Sequence, residues 1–177
     1  MGWFSKAVPR RKWQSASAAL GQELQVMGSS WYSAFQRGTA ACGFGLAAKM
    51  SNAAQHHVSM LQLSAVAATL QENSYVSDTS LSVFLELVYI ILTKNPPAGL
   101  HHEIGTLPFA RAGDARKALG LWARSMAAVL SPDKDDPRLT EELNRYGALL
   151  VIQAKIATCE ACDDPKGAEK VRKVFES

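Results

Sequence analysis

Few cysteines, little net charge and no long apolar run set the outer limits of this sequence. Its three cysteines, Cys42, Cys159 and Cys162, are an odd number in a chain of 177 residues. A chain this long stands without disulfide staples, so the thiols point to a reducing compartment. The net charge of +3 is too small to single out nucleic acid, whose binding domains carry a dense basic face. Arg111, Arg116, Lys117 and Arg124 make only a modest basic strip without interleaved aromatics, so nucleic acid ranks last among partners. The N-terminal MGWFSKAVPRRKW has no apolar run behind its charges and is not a secretory signal. Lys6 stands where N-myristoylation requires Ser or Thr. These absences read as a cytoplasmic protein.

Reaction-specifying motifs are missing as well. There is no GxSxG elbow, and no Ser or Cys stands in sequence with a credible His and Asp set. Gly43-Phe44-Gly45 lacks both a preceding strand and the GxxxxGK[ST] spacing of a phosphate loop. The Glu-x-x-His pairing of di-iron bundles is absent, as are internal repeats. No cofactor is expected, and the chain reads as leaning away from an enzyme.

What is present is helical periodicity. Leu81 to Leu92 (LSVFLELVYIIL) is apolar on every side of a helix and broken only by Ser82 and Glu86, which suits the centre of a bundle. Twelve residues rise roughly 18 Å, short of the ~30 Å hydrocarbon layer, so this run does not span a membrane. The expected fold is all-α: a single-domain bundle of about six helices around this central helix (about 78–94). Residues 1–11 form a basic and aromatic head segment and 12–177 the bundle domain.

Trp13, Ser17, Leu20, Leu24, Met27, Trp31 and Ala34 mark the first helix from about Lys12 to Arg37, with Gly38 as its stop. Gly21 and Gly28 inside it imply a kink or a close helix contact. Thr39 would cap a second helix reaching Glu72, its regular part starting near Leu46, with a small-residue face directed at the central helix. After Asn95-Pro96-Pro97 a connection of about a dozen residues lacks periodicity. Gly113-Asp114 opens a fourth helix that ends at Ser131-Pro132, and Asp136-Pro137 and Asp164-Pro165 open the last two.

Four groups of residues carry chemical interest. Trp31, Tyr32, Phe35 and Arg37 are of types found in binding hot spots, and Tyr32, about 100° from the core stripe, is expected to be exposed as part of a partner interface. Trp3, Phe4, Lys6, Arg10, Arg11 and Lys12 combine aromatics with basic charge, a pattern that gives weak attraction to an anionic membrane. His101, His102 and Glu103 are all metal-ligand types within one loop, against the commoner reading of a titratable surface loop. Cys159-Glu160-Ala161-Cys162 is a lone CxxC at a helix C-terminus beside carboxylates, where both dipole and charge disfavour a thiolate; inert buried thiols are expected. His56 and His57 point apart on their helix and cannot share one metal, and Glu86 is expected at the bundle rim.

By elimination the sequence reads as a non-enzymatic helical protein that binds another protein or a second copy of itself, as an adaptor, a chaperone or an inhibitor of the immunity type. Two alternatives stand beside it: a peripheral membrane protein held by the head segment, and a metal-dependent enzyme using the 101–103 loop.

Overall fold

A computed structural model describes residues 7–94, 115–133 and 136–176. They form a short 3-10 turn, Arg10–Lys12, and six packed helices: α1 (Trp13–Ala40), α2 (Asn52–Glu72), α3 (Asp78–Thr93), α4 (Ala115–Leu130), α5 (Pro137–Ala161) and α6 (Pro165–Glu176). No strand occurs among the described residues, and the chain is the all-α bundle that its periodicity implies.

Helix starts follow local chemistry closely. The Asp136 side chain accepts a hydrogen bond from the Arg138 amide at 3.0 Å, and Pro137 occupies the first turn of α5, where its missing N–H costs nothing. Asp164 does the same for α6, its Oδ1 accepting from the Gly167 amide at 2.9 Å. Each such cap contributes about 1 kcal/mol. At the other end of α3, Lys94 takes a left-handed φ of 57° and closes the helix just ahead of the prolines.

Between α1 and α2 the structure departs from the periodicity. α1 runs through Gly38, whose φ is not left-handed; a Cβ there would collide with the Tyr146 hydroxyl, so this glycine serves close packing and not termination. The left-handed glycine is Gly43, at φ 83°. The Thr39 hydroxyl donates back to the Phe35 carbonyl at 2.7 Å and caps nothing in α2. Residues 44–50 are not helical, and α2 begins only at Asn52, where the Ser51 hydroxyl accepts from the Ala54 amide at 3.2 Å. Ser51, inside the span expected to be helical from near Leu46, is in fact the N-cap.

α1 and α3 run side by side in the same direction: Trp13 meets Phe84 edge-on, centroids 6.2 Å apart, and Gly21 lies against Ile91. A Cβ on Gly21 would stand 2.6 Å from that of Ile91, which is why the helix tolerates a glycine there. α5 packs on α1, α2, α4 and α6, and α2 is enclosed by α1, α3, α4 and α5. Position 78–94 was expected at the centre, but among the described residues α2 takes that place, and α3 keeps Val83 and Ile90 at 42% and 41% exposure. The small residues Ala54, Ala65 and Ala67, all fully buried, let four helices approach α2 closely, which the bulkier α3 does not allow.

Candidate functional site

Trp31 and Phe35 stack in parallel at 5.3 Å, Trp122 meets Trp31 edge-on at 6.0 Å, and Tyr146 meets Phe35 edge-on at 5.3 Å. The Trp31 indole donates to the Tyr146 carbonyl at 2.7 Å and thereby pins α1 to α5. Tyr32 is buried and not exposed: the 44–50 connector folds over it, and its hydroxyl donates to the Ala47 carbonyl at 3.0 Å. Gln36 holds the same connector through Leu46 and Ala47. Of the four proposed interface residues only Arg37 is exposed, and the aromatic group is a core, not a surface.

That core nonetheless floors a surface feature. Trp31 on α1 faces Tyr146 on α5, while Glu23 lies near Glu160, so the two helices run antiparallel. Between them lies a groove of about 620 Å3. Val26, Met27, Ser30 and Ala34 form one wall, spaced at three and four residues, and Leu149, Gln153 and Ile156 form the other. Val26 is 67% exposed. At one end the groove is charged: Glu160 pairs with Arg172 of α6, while no cation among the described residues pairs with Glu23. Partial burial, then the nearby Glu160 carboxylate, raises the Glu23 pKa above its ordinary value. This groove was invisible in the sequence because its two walls are 115 residues apart.

Part of the basic head is also in view. Arg10, Arg11 and Lys12 are exposed, the Arg10 guanidinium lies 5.8 Å from the centre of the Trp13 ring, and Lys12 pairs with Asp163 at 2.8 Å. Trp3, Phe4 and Lys6 lie outside the described residues, as do His101, His102 and Glu103. No described helix is long and apolar enough to cross a membrane.

Cys159 and Cys162 sit at the α5–α6 corner, both buried, while Cys42 is exposed. Burial, then Cys159, Asp163 and Asp164, push the Cys162 thiol up to about 12. No three His, Cys, Asp or Glu side chains converge as a metal site among the described residues. Next to them Tyr75, fully buried, donates its hydroxyl to Asp164 Oδ2 at 2.7 Å. Burial, with Cys159 and Asp164 adding to it, drives the phenol pKa far up. The Tyr75 carbonyl accepts from the Val8 amide at 2.8 Å, and the Val8 carbonyl accepts from the Trp13 indole at 3.0 Å. This chain of bonds ties the head, the α2–α3 connection and the α5–α6 corner together, which is a structural task. Tyr75 lies between helices and outside any periodic stripe, so spacing gave no signal for it. Of the two histidines, His56 is exposed and His57 half-buried, its pKa lowered by burial and by His56.

No protein-family model matches the chain, and no curated protein and no solved structure is significantly similar to it.

Proposed function

We propose that this protein acts by binding another protein, and that the α1–α5 groove receives an amphipathic helix of the partner. The carrying observation is the pairing of two antiparallel helical stripes into a channel with an aromatic floor, an exposed apolar wall at Val26 and, at Glu23, a carboxylate with which no cation pairs among the described residues. Helix-in-groove recognition uses apolar anchors three, four and seven residues apart, and the spacing of Val26, Met27, Ser30 and Ala34 offers the matching ridges and gaps. Glu23 adds polarity to the groove: the bound helix carries Lys or Arg at the end that lies beside it, where the pair is partly desolvated. The groove is walled by apolar and aromatic side chains with its charges gathered at one end, which supports an adaptor, chaperone or inhibitor role.

Selection of a displayed library of helical peptides against the native protein tests this reading. The reading predicts binders with apolar anchors at helical spacing and a cation at one end. Their affinity falls by tenfold or more with Val26→Asp or Leu149→Asp, and Glu23→Lys costs less, about fivefold, since rim charges contribute little. Binders that none of these substitutions weakens, or a failure to select any binder, would overturn it.

A further inference from the structure

A second recess lies on the opposite side of α5, walled by the C-terminal end of α2, by α5 and by α6, with a volume of about 500 Å3. This falls within the range of small-molecule pockets, about 300–1,000 Å3. Its walls are Val151, Ile152 and Val171, and Val174 and Phe175 stand at its mouth, 72% and 53% exposed. Two cations converge on this apolar lining. Lys155 holds both oxygens of Glu72, at 3.2 and 3.3 Å. Lys170 lines the same recess, and among the described residues no carboxylate pairs with it. Among the described lining residues the balance is therefore one positive charge in excess, set against hydrocarbon walls.

We propose that this recess binds the carboxylate of a medium-chain fatty acid, with the acyl chain along Val151, Ile152 and Val171 and the carboxylate on Lys170. A small inorganic anion would meet the lysine but leave the apolar walls wet, and a cationic amphiphile would face Lys170 directly. A neutral amphiphile would fill the walls and leave the lysine unused. The charge and the apolar lining together select an anionic amphiphile. Lys155 lies beside the bound carboxylate and can leave Glu72 for it, because a half-exposed ion pair of this kind contributes little. The site is independent of the α1–α5 groove and shares no residue with it.

The test is a titration of the full-length protein with decanoate, decanol and decyltrimethylammonium, each below its micellar concentration, followed by amide chemical shifts. The expected result is saturable decanoate binding that moves the resonances of Ile152, Val171 and Phe175 and leaves those of Val26 and Leu149 in place. Decanol binds more weakly and decyltrimethylammonium not at all. Lys170→Gln weakens decanoate about fivefold and leaves decanol unchanged, while Ile152→Trp, which fills the recess, abolishes both. A merely hydrophobic crevice would bind decanoate and decanol equally and ignore Lys170→Gln, and that outcome overturns the proposal. So does the absence of saturable binding, or shifts confined to the other groove.

Discussion

From Val58 to Leu70 of α2 every residue but Met60 is buried, whereas α3 over a similar length alternates buried Leu81, Phe84, Leu85, Val88 and Leu92 with exposed Val83 and Ile90. Yet α3 is the more apolar of the two, and α2 buries Ser59, Gln62, Ser64 and Thr69. Side-chain size and local satisfaction account for the reversal. The hydroxyls of Ser64 and Thr69 donate to the carbonyls of Met60 and Ala65, four residues back, both at 2.7 Å, and Gln62 reaches the Leu24 carbonyl at 2.8 Å. Polar groups that carry their own partners inward can be enclosed at little cost. Among the described residues α3, with large branched side chains, packs on α1 and α2 and leaves its far side open. Hydrophobicity tells how much a helix gains from burial; small residues tell how closely its neighbours can approach.

The comparison can be broken most sharply from within α3. Phe84→Ala, at a fully buried position against Trp13, is expected to cost about 3–5 kcal/mol in chemical denaturation. Ala65→Leu adds volume at a fully buried position of α2, which four helices contact, and is expected to cost about 1–3 kcal/mol, although it raises hydrophobicity. Ile90→Ser, a polar change in the middle of the most apolar stretch, should alter stability by less than about 0.5 kcal/mol. A large loss there would mean that the outer face of α3 is buried and the contrast false.

Glu23 gives the smallest effect and sharpens the account of the groove. Its folded pKa is raised, so its contribution to stability is fullest below the unfolded value near 4.5 and is lost as pH rises through the folded value. Glu23→Gln is therefore expected to stabilise the protein slightly at pH 7, by under about 0.5 kcal/mol because the side chain is largely exposed, and to change nothing at pH 3. Paired melts at the two pH values check the sign.

Local signals in the chain were readable and non-local ones were not. Asp136-Pro137 and Asp164-Pro165 announced two helix starts because a cap and its amide lie within three residues of each other. Ser51 falls inside the expected second helix but starts it, because a serine at this point suits a helical turn and a cap equally well by spacing alone. Tyr32 looked exposed because a helical wheel contains only its own helix, and the segment that covers it folds back from Leu46 and Ala47. The lysine recess and the α1–α5 groove arise from pairings of distant helices, for which single-chain periodicity carries no information. The unreactive character of the thiols at 159 and 162, by contrast, was legible, because the helix end and the carboxylates beside them lie within a few residues.

Native-state amide hydrogen exchange tests the central claim, that α2 and not the more apolar α3 is the enclosed helix of this bundle. Amides from Val58 to Leu70 are predicted to exchange only through global unfolding, with free energies equal to the value from denaturation, while those near Val83 and Ile90 open earlier through local fluctuations. Slowest exchange in α3, with α2 opening sub-globally, would contradict it.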